Sequence, residues 1–408
     1  MKLFEKDELK ILWPFYAEAF FGTFLYIAVP FMVLYFNSIG LTLSQIGIIM
    51  AVWPLASLIF EIPTGAIADI FGRKYSVIFG WFLQGLITIG FYFTKDYYAL
   101  IGLFALYGIS GTLISGSYEA LIVDNLKLRK KDKLINKFFS KSASLYSLAF
   151  VISGFIGTFI VAKFGISAIW IVSGIAFFIS MFIIAFVKES YIPKTAKVKK
   201  HFLDFKSQIK SSVKYSYKHA VLFYLLIITF ISVISSSLDG FISWTPFLKE
   251  FNFPDYAFGY LWSAMNAISF FAPIISQKFF KEGRERKIFI ILSVITLVYG
   301  FAVLIANNII LLISILLFSF FIMDFEMPIR RSYFHRFVPT NMRATIGSLD
   351  NMSMSLAKVI GIGIAGFLVE WIGGRDTIFL ASLLMIPIII LLLKIKEEKA
   401  SKNISKPL

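Results

Sequence analysis

The sequence that decides the fold is GAIADIFGRK, residues 65–74. It closes one long apolar segment, 42–68, and leads through a charged turn into another, 75–94. Each segment reaches the roughly 20 residues that a helix needs to cross a bilayer. Strands of a membrane barrel would be shorter and would alternate, and only helices or closed barrels satisfy the backbone in lipid. The stretch is therefore interpreted as a loop between two membrane helices.

Similar apolar segments recur along the chain, and they predict an all-α membrane protein with twelve transmembrane helices in two pseudo-symmetric six-helix bundles. The predicted domains are an N-terminal bundle at 1–187, a cytoplasmic linker at 188–218, and a C-terminal bundle with a short tail at 219–408. The predicted spans are 11–36, 42–68, 75–94, 98–124, 138–162, 166–187, 220–249, 255–279, 288–306, 308–329, 343–370 and 376–394.

Composition supports a membrane location. Hydrophobic residues make up 58% of the 408 residues and charged residues only 16%, and a soluble domain could not bury that much apolar surface. The chain has no cysteine, which excludes disulfides and cysteine-ligated metal.

The distribution of basic residues predicts the orientation. With twelve spans, 35 of the 40 Lys and Arg fall on the side of the two termini, and one lies inside a span. The other four, on the opposite side, are Lys95, Lys163, Lys249 and Arg375. Basic residues are retained on the cytoplasmic side of membrane proteins, so we expect a multi-pass plasma-membrane protein with both termini in the cytoplasm. The net charge is +16, but the basic residues are spread over seven separate cytoplasmic segments, which argues against a nucleic-acid partner.

The linker at 188–218 has two interpretations. From Phe202 onward, apolar residues share one face and lysines flank it, as in a helix that lies in the membrane interface. A solvated, charged connection between the bundles explains the same residues.

Short matches relate the two halves of the chain. Pro30-Phe31 recurs as Pro246-Phe247, and Ser147-Leu148-Ala149 recurs as Ser355-Leu356-Ala357. Gly47 and Gly259 also occupy comparable places near the start of the second and eighth predicted spans. Their common order, at separations of 208 to 216 residues, favours duplication of a six-helix unit, as in transporters whose site lies between two repeats.

The stretch at 65–74 also resembles the signature G-x-x-x-D-x-x-G-R-[RK] of the major facilitator superfamily. Every defining position matches, and the stretch lies between the second and third predicted spans, where that family has it. The resemblance implies a cytoplasmic gate. Its predicted residues are Gly65, Asp69, Gly72, Arg73, Lys74 and Asp124.

Each gate residue has a physical role to test. Gly65 is expected to let a neighbouring helix approach closely, and Gly72 to permit the turn. The family pattern implies that Asp69 accepts hydrogen bonds from the start of span eleven, near Arg343, and that Arg73 pairs with Asp124. The equivalent loop of the second half, 281–287, keeps glycine and basic residues but has no matching aspartate, so we expect a weaker lock there.

Two features of proton-coupled drug antiporters of this superfamily are missing. Span four has no arginine around Leu103–Gly108, and span five has Ser153–Gly157 without a Gly-Pro pair. Their absence weakens an assignment to those subfamilies and leaves the superfamily resemblance intact.

Charges inside predicted spans are the candidate coupling or substrate residues, because a charge near the bilayer centre costs about 2.5–3.5 kcal/mol on insertion scales. They are Glu18, Asp239, Asp350 and Lys358. We hypothesise an ion pair between Asp239 and Lys358, which either responds to substrate or protons or only stabilises the C-terminal bundle. Glu18 either carries a proton or lies hydrated near the interface.

Aromatic residues on spans one, four and seven are the candidate lining of a central cavity, although such residues more often serve packing. They are Tyr16, Phe20, Phe24, Tyr107, Tyr118, Phe241 and Trp244.

Together these features predict a secondary transporter that works by alternating access. The expected partners are the lipid bilayer, a small-molecule substrate and protons, with the chain acting as a monomer and without a cofactor or metal site. The sequence has no phosphate-binding G-x-x-x-x-G-K-[ST] loop for ATP. Export of an amphipathic or hydrophobic compound by antiport is the first interpretation, and uptake of a small polar metabolite by symport or facilitated diffusion is the alternative. A non-transporting sensor and a lipid enzyme are less favoured, because no signalling domain or catalytic polar cluster is evident.

Overall fold

The computed structural model describes residue 4 and residues 8–188, 219–279, 283–338 and 342–395. The interfacial helix predicted from Phe202 lies outside these residues. Within them the chain is helical, with two short 3₁₀ turns at Val29–Phe31 and Asp255–Ala257. The α-helices are α1 Glu8–Phe21, α2 Met32–Ser38, α3 Leu43–Phe71, α4 Arg73–Phe93, α5 Tyr97–Leu128, α6 Leu134–Phe164, α7 Ala168–Ala185, α8 Ala220–Leu238, α9 Phe241–Glu250, α10 Phe258–Phe279, α11 Glu285–Ile305, α12 Ile309–Arg336, α13 Arg343–Leu383 and α14 Met385–Lys394.

Ten helical segments of the described chain are long and apolar enough to cross a membrane, so the predicted count of twelve spans is not confirmed. The first predicted span, 11–36, is broken: α1 is only 14 residues long and helix resumes at Val29–Ser38. At the other end of the chain, the last two predicted spans form one segment, Ile346–Lys394.

The segment Ile346–Lys394 is too long for a single straight crossing. Its 49 residues would extend about 70 Å as one straight helix, against a hydrocarbon core of about 30 Å. Gly373 interrupts the helical geometry with φ 85° and ψ 165°, a conformation open to glycine. This residue lies in the turn that the sequence predicts between spans eleven and twelve.

The described residues form two compact units. One contains those within 1–41, 55–201 and 254–270, and the other contains those within 42–54, 202–253 and 271–408. Each predicted domain runs continuously along the chain. In the compact units, by contrast, the start of α3 belongs to the second unit and the start of α10 belongs to the first.

Each unit has its own apolar core. In the first unit, Leu12 and Phe15 of α1 pack with Val77 of α4, Leu121 of α5 and Ile184 of α7. The core of the second unit includes Leu222, Phe289, Tyr333, Ile346 and Ile388, from α8, α11, α12, α13 and α14. The cores hold the helices that carry the candidate charges.

Glycines explain why the starts of α3 and α10 pack where they do. In the second unit α3 crosses α13 so closely that a Cβ on Gly366 would lie 2.5 Å from the Leu43 carbonyl oxygen and 2.9 Å from Gly47 Cα. In the first unit α6 crosses α10 at Gly154 and Gly259, where a Cβ on either would overlap the other's carbonyl oxygen. Small residues of this kind let membrane helices pack backbone against backbone.

The two crossings share one internal register. Gly47 and Gly259 are 212 positions apart, and so are Gly154 and Gly366. The separation lies within the 208 to 216 residues of the sequence matches, which supports the predicted duplication.

Replacing Gly366 by alanine will destabilise the protein by about 1–3 kcal/mol, because the new methyl group must displace the backbone of α3. The matched control is G363A on the same helix, where the nearest neighbour of a Cβ is Ala51 at 3.9 Å. Thermal unfolding of the purified protein in detergent should show a lower midpoint for G366A and an unchanged midpoint for G363A. Equal midpoints would contradict the close crossing.

Candidate functional site

The stretch 65–74, predicted as a loop, is mostly helical: α3 runs to Phe71, α4 begins at Arg73, and only Gly72 lies between them. Gly72 has φ 102° and ψ 144°, a left-handed conformation that favours glycine, and it caps the start of α4. Arg73 follows and forms an ion pair with Asp124 near the end of α5. The predicted Arg73–Asp124 contact is therefore present in the structure, and the role expected for Gly72 fits its geometry.

Lys74 has a partner that sequence analysis missed. Its Nζ donates to the carbonyl oxygen of Ala185, at 2.7 Å, where α7 ends. A cation at the last turn of a helix satisfies free carbonyls and interacts favourably with the helix dipole. Arg73 and Lys74 thus connect the start of α4 to the ends of α5 and α7.

The close approach of a neighbouring helix at Gly65 stays a prediction. A Cβ built on Gly65 meets no atom of the described residues within 4 Å, because this glycine lies on an exposed face of α3. The expected contact between Asp69 and the start of span eleven stays a prediction.

Glu18 is the centre of a buried polar cluster in the first unit. Its side chain is near the end of α1, and the residue is only 2% exposed. Tyr118 and Tyr146 donate their hydroxyls to Glu18 Oε2 at 2.6 and 2.9 Å, and the Ser180 hydroxyl donates to Oε1 at 3.2 Å. The three donors come from α5, α6 and α7, so four helices meet at one carboxyl group.

Every partner of Glu18 is a neutral hydroxyl. In the part of the chain that the structure describes, no Lys, Arg or His side chain forms an ion pair with it. Gly22, one turn further along, makes room for the cluster, since a Cβ there would overlap the Ser180 hydroxyl. The interpretation of Glu18 as a hydrated residue near the interface does not fit this burial.

Tyr146 and Ser180 are the members of this cluster that sequence analysis missed. Both lie inside predicted spans that carry several other polar residues, so their polarity alone did not single them out. Their distance from Glu18 in the sequence, 128 and 162 positions, hid the relationship.

Asp239 occupies a comparable place in the second unit. It follows the end of α8, where the helix breaks before Gly240 and α9 begins. Trp244 Nε1 and the Tyr299 hydroxyl both donate to Asp239 Oδ1, at 2.9 and 2.7 Å. This carboxylate, like Glu18, lies at the end of a helix and accepts hydrogen bonds from aromatic side chains.

The hypothesised ion pair between Asp239 and Lys358 is not formed. Among the described residues no contact within 4 Å joins the two side chains, and Lys358 is exposed on α13. Trp244 and Tyr299 take the place expected for the lysine. Asp350, on the same helix, has one buried carboxylate oxygen without a hydrogen-bond partner in the described chain.

Two of the aromatic residues predicted to line a cavity belong to the packed interior instead. Tyr16 is 6% exposed and donates to Glu8 Oε1 at 2.7 Å, where Lys141 also binds. Trp244 is 1% exposed. Large side chains with a polar tip are stable inside a core when that tip finds a partner, which both do.

The other predicted lining residues remain partly exposed within their units. Phe20 and Phe24 stack with ring centroids 5.9 Å apart. The Tyr107 hydroxyl lies 3.0 Å from that of Tyr26, and Tyr118 reaches Glu18. Phe241 begins α9 two residues after Asp239. Of these side chains, Tyr118 contacts a candidate carboxylate directly.

Comparisons with known proteins match this chain over most of its length. Residues 15–362 match the family model of the Major Facilitator Superfamily. The uncharacterized MFS-type transporter YxaM of Bacillus subtilis is 25% identical over 383 residues, which is 92% of this chain and 94% of that protein. The multi-drug resistance efflux pump PmrA of Streptococcus pneumoniae is 27% identical over 52% of each chain.

Solved structures give the same fold. The nucleoside transporter NupG has a TM-score of 0.73 at 13% identity, and the match covers 94% of this chain and 99% of that one. The D-xylose-proton symporter has a TM-score of 0.69 at 13% identity and covers 95% and 99%. At such low identity the likeness concerns the fold alone.

Replacing Asp124 by asparagine will destabilise the protein by about 1–3 kcal/mol, since Arg73 then loses its charged acceptor. The matched control is D132N, an exposed aspartate in the next turn of chain. Chemical unfolding in detergent, followed by tryptophan fluorescence, should separate the two variants. A D124N protein as stable as D132N would show that the ion pair contributes nothing measurable.

Proposed function

This chain belongs to the Major Facilitator Superfamily, and on that premise we propose that it is a proton-coupled secondary transporter that exports amphipathic or hydrophobic compounds by alternating access. The members of the family are transporters and not enzymes. In this proposal the chain crosses the plasma membrane twelve times with both termini in the cytoplasm, which accords with the basic residues on that side.

The observation that carries the proposal is the cluster around Glu18. A carboxylate buried in a membrane protein needs either a proton or several donors. Glu18 has three hydroxyl donors and no basic partner among the described residues, so protonation changes its charge without leaving a cation unpaired. A group with these properties takes up a proton from one side and releases it to the other as access alternates.

The four helices that meet at Glu18 connect this proton to the rest of the first unit. Tyr118, Tyr146 and Ser180 donate to an ionised carboxylate, but protonation gives Glu18 a hydrogen of its own to donate. At least one hydroxyl then has to turn or move. Proton uptake thereby alters at least one hydrogen bond that joins α1 to α5, α6 or α7.

Partly exposed aromatic side chains within each unit support an apolar or amphipathic solute. Phe20, Phe24, Tyr107 and Phe241 keep part of their surface exposed, and aromatic rings bind flat apolar groups and cations on their faces. The multidrug efflux pump among the relatives agrees with this substrate class.

Replacing Glu18 by glutamine will abolish transport driven by a pH gradient, because an amide keeps the size of the side chain and cannot exchange a proton. The full-length protein reconstituted in liposomes, with an imposed pH gradient and ethidium as the probe, measures this. We expect E18Q to fall to the rate of empty liposomes. The matched control, E250Q at the exposed end of α9, should retain the wild-type rate.

The same liposomes distinguish export from uptake. Ethidium moving against the proton flow supports antiport, whereas uridine or xylose moving with the protons would replace export by uptake symport. Gradient-driven flux that is unchanged in E18Q would remove Glu18 from the mechanism.

A further inference from the structure

The turn before α11, in the second half of the chain, contains a set of charged contacts that the signature motif does not describe. Glu285, the first residue of α11, is 1% exposed and accepts a bond from Arg336 Nη1 at 3.3 Å, at the end of α12. The next residue, Arg286, donates through Nε and Nη2 to the carbonyl oxygens of Leu392 and Leu393, at 2.7 and 2.9 Å. Those carbonyls belong to the last turn of α14.

These contacts repeat the geometry of the first half. There Arg73 pairs with Asp124, and Lys74 binds the carbonyl oxygen of Ala185 at the end of α7. We call this set the first anchor, and the set formed by Glu285, Arg286 and Arg336 the second anchor.

The spacing of the residues shows that the two anchors correspond. The paired residues are 51 positions apart in each anchor. Glu285 lies 212 positions after Arg73, and Arg336 lies 212 positions after Asp124. The glycine crossings have the same register, although they lie on different helices.

We propose that the second anchor is the counterpart of the first with the polarity of its ion pair exchanged. In the first anchor the cation is on the helix that follows the turn and the carboxylate is on the next helix. In the second anchor the carboxylate comes first and the cation follows. The expectation of a weaker lock at 281–287 rested on the missing aspartate in that loop, and it did not consider the pair formed by Glu285 and Arg336.

The anchor acts by joining three helices at one end of the unit. Glu285 connects α11 to α12, and Arg286 connects α11 to α14. The near-complete burial of Glu285 makes Arg336 necessary, since a buried carboxylate that loses its cation is strongly destabilising. These contacts therefore hold the three helix ends together, whichever solute the protein carries.

Exchanging the charges tests the proposal. E285R/R336D installs arginine and aspartate in the order of the first anchor. We expect E285R alone and R336D alone to lower the thermal midpoint of the full-length protein by several degrees, and the double variant to recover most of that loss.

If either single variant does not fold, the neutral variants E285Q and R336Q give the same comparison. Their double variant should lose less than the sum of the two single losses.

The matched control is the neighbouring basic residue. Lys287 is exposed and forms no ion pair with any described residue, so K287Q should keep the wild-type midpoint while R286Q lowers it. A double exchange that remains as unstable as the sum of its single variants, or equal midpoints for R286Q and K287Q, would overturn the proposal.

Discussion

The hydrocarbon interior of a bilayer offers no water to polar groups, and this constraint shapes most of the structure. Backbone groups are satisfied inside helices, so the helices can break only where other partners are available. Glu18 lies near the end of α1 and Asp239 follows the end of α8, where two carboxylates gather hydroxyl and indole donors from neighbouring helices. Each of these helix ends therefore lies next to a buried carboxylate that side-chain donors from neighbouring helices stabilise.

Close packing in this protein is achieved by glycine where helices cross and by charge where they end. Gly47, Gly366, Gly154 and Gly259 allow backbones to touch within the membrane segments. At the ends of those segments, Arg73 and Arg336 bind carboxylates, and Lys74 and Arg286 bind the free carbonyls that every helix leaves at its end. Apolar packing therefore stabilises each unit along its helices, and ion pairs and hydrogen bonds stabilise it at one end.

Sequence alone was sufficient for the family and the membrane helices, because apolar length and a spaced motif are local signals, and the resemblance to the family supplied the pair Arg73–Asp124. It did not identify the partners of Glu18, since Tyr146 and Ser180 come from distant helices whose packing the sequence does not reveal. It proposed Lys358 as the partner of Asp239 from equal depth in the membrane, and depth does not specify which face of a helix a residue occupies. It predicted twelve spans and placed the turn between the last two where Gly373 interrupts the helix, but apolar length does not register the break after Phe21.

The exchanged polarity of the two anchors has a consequence for how a duplicated chain assembles. The predicted duplication makes α4 of one half the counterpart of α11 of the other, and both helices are 21 residues long. If α4 packed against α12 by mistake, Arg73 would face Arg336, and a misplaced α11 would bring Glu285 against Asp124. Like charges would repel in both cases, so the ion pair of each helix hairpin disfavours packing with the corresponding helix of the other half.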